Sequence, residues 1–241
     1  MPVRYPEGLV HGFLVLHALD GKSLADGDLI QSVRGDQVTS RLMLHFHDGS
    51  VSEETSVYSQ RGDFRLISDR LVQKGPAFKT PMEVFVDARS GDVTVHYTED
   101  GKEKTAAERM ELPADVANGI VLTLIKNLKP DAPPTTVSMV AATPKPRLVK
   151  LLITPSGEDP FSVGGTRRKG THFVVKIQIG GIAGLLAPLL GKQPEDTHVW
   201  VLEADAPAFV RSEGPMFSGG PLWRLELASP IWPAAAPAKR R

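Results

Sequence analysis

The chain has 241 residues, and its 28 Lys and Arg residues balance its 28 Asp and Glu residues, so the formal net charge is zero. A balanced chain lacks the clustered positive charge that sequence-independent nucleic-acid binding requires, and we predict no nucleic-acid partner. The chain contains no cysteine, which excludes disulfides, thiol catalysis, zinc–thiolate sites and iron–sulfur clusters. Its 22 glycines and 20 prolines indicate many turns, as in a β-rich protein.

Alternating apolar and polar residues predict a series of short strands in the first half. The segment 41–47 alternates clearly, and Asp48 and Gly49 then form a hairpin turn that leads to a strand over 50–59. Further strands are predicted at 12–18, 64–68, 83–87 and 92–97. The charged segment 102–110 has the character of an edge strand that avoids self-pairing.

One segment changes to the helical period. Apolar residues at spacings of three and four predict a helix over 115–128, with Asp115 as its cap or in its first turn. The apolar stripe of this helix comprises Val116, Ile120, Leu124 and Leu128. Gly119 in its middle is explained by a close approach to a sheet. The proline-rich segment 129–134 follows as the best candidate linker.

The second half returns to strands, at 136–142, 147–154, 161–165 and 171–179, and a C-terminal meander follows at 198–203, 208–213 and 222–227. The predicted fold is mainly β: a curved antiparallel sheet, or half-barrel, wrapped around the one main helix. Such a sheet leaves an apolar cavity where side chains do not fill it. We expect two β-rich parts, 1–129 and 135–233, that form one continuous domain, and a mobile tail over 234–241.

The segment 12–97, with His-Phe-His-Asp-Gly-Ser at 45–50, resembles uncharacterised bacterial envelope proteins that are similar to the lipoprotein-carrier (LolA-like) half-barrel family. The segment 112–119 resembles bacterial hypothetical proteins. The resemblance implies a lipid or other apolar ligand in the cavity and a periplasmic or envelope location after removal of a signal peptide. It carries over no catalytic residue to this sequence. The first residues lack a signal-peptide pattern, so without such removal the expected location is cytoplasmic. No apolar stretch is long enough to predict a membrane-spanning helix.

The segment 180–191 has no charged or hydrogen-bonding side chain. It either plugs one end of the barrel as core, or forms an apolar lid over a ligand or a patch that contacts a membrane surface or a partner. The predicted ligand-binding residues combine this segment with the helix and one tryptophan: Leu124, Ile125, Leu185, Leu186, Leu189, Leu190 and Trp200. Trp200 alternates with two valines, which is typical of a core residue, and its alternative role is the wall of a ligand pocket.

Two sets of residues are weak candidates for a metal site and for a catalytic site. His45 and His47 lie two apart on a strand and share a face, so that they could bind a metal with His96 or an acidic residue as third ligand. Two histidines beside a turn are more typical of a solvated face, and we predict no metal and no cofactor. Ser212, His198 and Asp196 have the residue types of a catalytic triad, without the nucleophile elbow that usually accompanies one.

The leading hypothesis is a non-enzymatic protein that binds a lipid-like or other apolar ligand. A hydrolase or metal-dependent enzyme with a dispersed site and a structural envelope protein are the alternatives. Arg211 and Glu213 share a strand face, as do Arg224 and Glu226, and these four residues are predicted to form cross-strand pairs rather than a substrate clamp. The sequence leaves the ligand and the oligomeric state open.

Overall fold

The computed structural model describes residues 1–163, 166–178, 194–202 and 207–228. These residues form fourteen strands and one short helix, which confirms the mainly β fold. In chain order the elements are β1 (Val10–Ala18), β2 (Ser23–Arg34), β3 (Gln37–Phe46), β4 (Val51–Ser59), β5 (Arg65–Lys74), β6 (Met82–Asp87), β7 (Asp92–Glu99), β8 (Lys102–Arg109), α1 (Val121–Lys126), β9 (Thr135–Ala141), β10 (Arg147–Val163), β11 (Thr166–Gln178), β12 (Thr197–Leu202), β13 (Ala208–Pro215) and β14 (Leu222–Leu227).

All these strands belong to one antiparallel sheet, in the order β8-β7-β6-β5-β4-β3-β2-β1-β14-β13-β12-β11-β10-β9. The first and last strands meet inside it, with Leu14 opposite Leu227 and Ala18 opposite Trp223. The C-terminal meander is confirmed, and it continues the sheet of the first half. The charged strand β8 lies at the edge of the sheet, as predicted.

The sheet is strongly curved. Strands β5 and β13 are six positions apart in it, which in a flat sheet would separate them by about 29 Å at roughly 4.8 Å per strand. The side-chain amide of Gln73, in β5, nevertheless donates a hydrogen bond of 3.0 Å to the carbonyl of Met216, which follows β13. The core-facing side of the sheet is therefore concave, which confirms the curved sheet.

The predicted helix is much shorter than 115–128. Its only α-helical part is α1, and the chain before it is a turn in which Gly119 has a φ of +65°. A Cβ at Gly119 would lie 1.9 Å from Ser56 Oγ in β4, so the close approach to the sheet is real and excludes a regular helix there. The stripe is still core, since Val116, Ile120 and Leu124 are buried.

Asp115 does not cap the helix. The N-cap is Ile120, without a side-chain cap, and Asp115 instead pairs with β9. Its carbonyl accepts the Ser138 N–H at 3.2 Å, its Oδ1 accepts the Ser138 hydroxyl at 2.7 Å, and the Ala117 N–H donates to the Ser138 carbonyl. This segment covers the second edge of the sheet, whose backbone groups would otherwise be open to other chains.

Two strands differ from the predictions. Strand β2 was not predicted because Gly27 interrupts its pattern, and the structure explains that glycine: a Cβ would lie 2.2 Å from the Met43 carbonyl on β3. The segments 147–154 and 161–163 belong to one long strand, β10, with a register irregularity between Pro155 and Glu158. In the described part of the chain, no helix has the length and apolar character needed to span a bilayer.

Candidate functional site

The structure places the predicted ligand-binding residues in three different situations. Leu124 and Ile125 are buried in the core on the concave face. The segment 180–191, with Leu185, Leu186, Leu189 and Leu190, lies outside the described residues, as does the tail 234–241. Trp200 is half-buried on the outer face, and its prediction as a core residue is wrong, because the alternation of β12 turns its neighbours Val199 and Val201 into the core.

His45 and His47 are exposed on the outer face. His47 Nε2 lies 3.2 Å from Asp26 Oδ2, and both side chains are more than half exposed. His96 is in β7, which three strands separate from β3, and its Nδ1 lies 2.9 Å from Thr105 Oγ1, so it is not placed to act as a third ligand. Among the described residues, His, Asp and Glu side chains nowhere gather in a group of three or more that could hold a metal ion.

The Ser212, His198 and Asp196 triad is not assembled. In the pairing of β12 with β13, His198 lies opposite Glu213 and Ser212 lies opposite Val199. Residues directly opposite share a face, so Ser212 points to the core side and His198 to the outer side. Asp196 forms an ion pair with Lys176 at 3.2 Å. The register thus separates the nucleophile of this weak candidate from its base.

The register instead builds two parallel rows of side chains across the outer face, which we call the outer ladder. One row runs from β1 to β11 through Val15, Glu226, Arg211, Trp200 and His172, and the other through His17, Arg224, Glu213, His198 and Val174. The predicted cross-strand pairs are confirmed: Arg211 Nε lies 2.6 Å from Glu226 Oε1, and Arg224 Nε lies 2.7 Å from Glu213 Oε1.

Aromatic rings are stacked at one end of the outer ladder. The His172 and Trp200 rings are parallel to within 4°, with centroids 4.6 Å apart, and His172 Nε2 lies 2.9 Å from His198 Nδ1. On the β13 side, the Arg211 guanidinium carbon lies 5.7 Å from the Trp200 ring centroid. Burial, with a smaller effect of the neighbouring His198, lowers the pKa of His172 below its usual value, which favours a neutral ring.

A small cavity opens beside this stack, and we call it the Trp200 cavity. Its volume is about 270 Å³, and it is lined by Asp159, Pro160, Phe161, Trp200, Val210 and Arg211. Trp200 Nε1 donates to Asp159 Oδ2 at 2.8 Å, and the same carboxylate oxygen lies 3.7 Å from His172 Nδ1. Asp159 thereby fixes the edge of the indole at the rim of the cavity.

Two local features of the backbone shape the Trp200 cavity. Gly170 lies opposite Asp159, and a Cβ there would be only 3.0 Å from Phe161 Cε1, so the missing side chain leaves room for the phenyl ring. Val210 is an extra residue in β13, because Trp200 pairs with Arg211 while Val201 pairs with Phe209. Such a bulge re-aims side chains, and here its residue lines the cavity.

A second cluster of ionisable residues lies on the concave face, where Glu54 of β4 and Asp69 of β5 form what we call the inner carboxyl pair. Ser56 donates a hydrogen bond of 2.8 Å to Asp69 Oδ1. Burial, with repulsion from Asp69, raises the pKa of Glu54 to about 8, and burial raises the pKa of Asp69 to about 7. The raised pKa values favour the protonated form of both groups, and Asp69 lies where Gly119 crosses the sheet, since a Cβ at Gly119 would be 2.4 Å from Asp69 Oδ1.

The sequence analysis predicted neither the inner carboxyl pair nor the role of Asp159 and Phe161 in lining the Trp200 cavity. A signal for Glu54 was present, since it shares the period-two face of the buried residues Ser56 and Tyr58. For Asp159 and Phe161 no local signal existed, because Pro155 breaks the alternation of β10 and conceals that one strand carries both residues to the site.

Comparisons with known proteins leave the chain without an assigned family. No family model matches it, and no curated protein matches it. A solved β-barrel-like protein of the domain of unknown function DUF1849 from Brucella abortus is 10% identical, with a TM-score of 0.46, over 95% of this chain and 100% of that one. The hypothetical lipoprotein YmcC from Escherichia coli K12 is 8% identical, with a TM-score of 0.38, over 92% and 86%. These values support no shared function or site, and the LolA-like resemblance stays a prediction.

Proposed function

We propose that this chain is a non-enzymatic binding protein that takes a small ligand with an apolar body, and that the ligand occupies the Trp200 cavity. The observation that carries the proposal is a large aromatic side chain, half-buried on the outer face, that forms a wall of a cavity together with Phe161 and Pro160. Ligand sites combine such apolar walls with a few polar groups that fix orientation, and Asp159 and Arg211 supply them here.

The concave face is a weaker candidate for this ligand. Leu124 and Ile125 are 3% and 0% exposed within a core that also contains Leu16, Leu44 and Tyr58. A ligand that touched them would first have to displace core side chains, each of which contributes roughly 1.5–3 kcal/mol by its burial. The proposed site is therefore on the opposite face from the cavity that the sequence predicted.

The polar groups around the cavity favour binding over catalysis. His172 and His198 pair with each other, Trp200 with Asp159, and Arg211 with Glu226. Groups held by such contacts form a rigid, preformed wall, which lowers the entropy cost of binding. A periplasmic or envelope location, which rests on the sequence resemblance, belongs to the same proposal. Contact with a membrane surface, which rests on the uncharged segment 180–191, belongs to it as well.

The test is a titration with phenylnaphthylamine, a neutral apolar dye whose fluorescence rises on leaving water. We expect saturable binding to the wild-type protein, loss of binding in Trp200→Ala, and partial retention in Trp200→Phe. Phe85→Ala is the matched control, because Phe85 is an aromatic side chain, 40% exposed, in β6 and remote from the cavity. Absence of saturable binding to the wild type, or undiminished binding to Trp200→Ala, overturns the proposal.

A further inference from the structure

We propose that the concave face holds a binding site for an alkyl amine, whose chain lies along a row of leucines and whose ammonium group meets the carboxyl of Glu54. The row crosses five neighbouring strands, and we call it the inner trough. Its members lie opposite one another in turn from β1 to β5: Gly12, Leu29, Leu42, Glu54 and Leu71. This site lies on the opposite face of the sheet from the Trp200 cavity and is independent of the proposed function.

The inner trough is accessible, whereas the rows on both sides of it are closed. Each member of the trough is half-buried. The flanking rows contain residues that are at most 4% exposed: Leu44, Ser52 and Gln73 on one side, and Gln31, Ser56 and Asp69 on the other. Gly119 crosses the sheet above Ser56 and Asp69, and the Met216 carbonyl accepts the Gln73 N–H at 3.0 Å. These two covering segments therefore lie on either side of the trough and leave a gap above it.

Glu54 is the polar side chain of the inner trough. Within the described part of the chain, its carboxyl forms no hydrogen bond and no ion pair. Since no buried side-chain oxygen of the described residues is without a partner, the Glu54 oxygens are accessible from the trough. Leu42 and Leu71 lie directly opposite Glu54 on the two neighbouring strands. A free carboxyl between apolar walls is the kind of group that fixes the orientation of an apolar ligand.

The charges around Glu54 favour a ligand cation. Asp69 lies diagonally across from Glu54 on the same face, and the raised pKa of each carboxyl reflects burial without a positive charge beside it. Lys126, in the last turn of α1, is already paired with Glu7 at 2.7 Å. An ammonium group on a ligand would supply the missing positive charge, and its binding would release a proton from the two carboxyls to the solvent.

The leucines favour an alkyl chain over a metal ion. A hard divalent cation takes about six or more oxygen ligands, and the leucine side chains of the trough supply none. From Glu54 to Gly12 the trough crosses three strand spacings, about 14 Å at roughly 4.8 Å each, which an extended decyl chain spans. Leu227, 40% exposed, extends the apolar wall at that end, since its Cδ2 would lie 3.4 Å from a Cβ on Gly12.

The test compares decylamine with its neutral and anionic counterparts, decanol and decanoate, by isothermal titration at pH 8.5. We expect decylamine to bind at least about tenfold more tightly than either counterpart, which corresponds to roughly 1.4 kcal/mol. Glu54→Gln should remove this preference and leave the binding of decanol unchanged. Glu53→Gln is the matched control: Glu53 is the preceding residue, lies on the outer face and pairs with Arg41, so this variant should retain the preference.

The pH dependence tests the role of the carboxyls by a second route. An alkyl ammonium group, like that of lysine, stays charged below about pH 10, so a change at lower pH reports on the protein. We expect the preference to weaken from pH 8.5 to pH 6, as the carboxyls with pKa values of about 8 and about 7 take up protons. Asp69→Asn removes the repulsion that raises the pKa of Glu54, so in this variant the preference should persist to lower pH.

The outcomes separate this site from the Trp200 cavity. Equal binding of decylamine and decanol, tightest binding of decanoate, or an unchanged preference in Glu54→Gln overturns the amine site. A preference that does not change between pH 6 and pH 8.5 overturns it as well. Loss of decylamine binding in Trp200→Ala would assign the amine to the Trp200 cavity and thus overturn the site on the concave face, whereas retention in this variant supports it. The binding of phenylnaphthylamine tests the proposed function alone.

Discussion

The inner carboxyl pair and the outer ladder place ionisable side chains on opposite faces of one sheet, and the two faces stabilise these groups in different ways. On the outer face, the register puts Arg211 opposite Glu226 and Arg224 opposite Glu213, so each charge finds an opposite charge on the next strand. On the concave face, Asp69 is buried and Glu54 beside it is half-buried, and the pKa of each is raised. A half-exposed charge is therefore stabilised by pairing with an opposite charge, whereas a carboxyl that packs on the concave face is stabilised by keeping its proton.

The largest difference between the faces should appear on truncating a large side chain. Leu124→Ala removes a side chain that is 3% exposed in the core, and we expect it to lower the free energy of unfolding by about 2–5 kcal/mol. Trp200→Ala on the outer face should lower it by less than about 2 kcal/mol, because the site is only half-buried. Urea unfolding followed by circular dichroism measures both. Equal losses would contradict the placement of Trp200 outside the core.

The next largest effect concerns the crossing of the chain over the inner carboxyl pair. Gly119→Ala places a Cβ 1.9 Å from Ser56 Oγ at a φ of +65°, and we expect a loss of about 3 kcal/mol from strain and overpacking. Gly35→Ala is the matched control, since Gly35 has a φ of +60° with no atom within 4 Å of the added Cβ. It should lose only about 1 kcal/mol, from backbone strain alone. The same urea unfolding experiment compares the two variants. If Gly119→Ala lowers the free energy of unfolding no more than Gly35→Ala does, the chain at Gly119 is not tightly packed against β4.

A further difference should appear in the dependence of stability on pH. The ordinary pKa values of these groups are 4.5 for Glu54 and 3.8 for Asp69, and both are raised by folding, to about 8 and about 7. The folded state therefore binds more protons than the unfolded state between about pH 4 and pH 8, so stability should fall as the pH rises through that window. Melting temperatures measured from pH 5 to pH 9 test the sign.

The same experiment on variants assigns this effect to the inner carboxyl pair. Asp69→Asn and Glu54→Gln should each flatten the decline, because each removes one of the two groups that must release a proton. Glu53→Gln is the control, since Glu53 precedes Glu54 on the outer face and pairs with Arg41 at 2.9 Å. A wild-type melting temperature that rises from pH 5 to pH 8 would show that these carboxyls are already ionised in the folded protein.

The smallest effect should be the coupling of charges within the outer ladder. A double-mutant cycle on Arg211 and Glu226, 36% and 26% exposed, should give a coupling of roughly 0.5–1 kcal/mol in the free energy of unfolding. The reference cycle on Lys169 and Glu158, 75% and 50% exposed, should give close to zero because water screens the pair. Equal couplings in the two cycles would mean that the ladder adds nothing beyond an ordinary surface ion pair.

The local features of this fold follow from the sequence alone. Alternation predicted most of the strands, Asp48 and Gly49 predicted a hairpin that the structure contains, and charge predicted the edge strand β8. These features depend on neighbours within a few residues, which is the range over which period and turn chemistry act. The burial of Val116, Ile120 and Leu124 was also predictable, because apolar spacing reports burial even where the backbone is not one helix.

The face on which each side chain lies, and the residue opposite it, depend on the tertiary structure. Trp200 became a cavity wall because the pairings of β12 with β11 and β13 put His172 and Arg211 on either side of it. The same register separated Ser212 from His198, and the curvature of the sheet allowed Gln73 to reach Met216. Register and curvature arise from contacts between residues far apart in the chain, and a one-residue shift in pairing would exchange the faces, so no local pattern could reveal them.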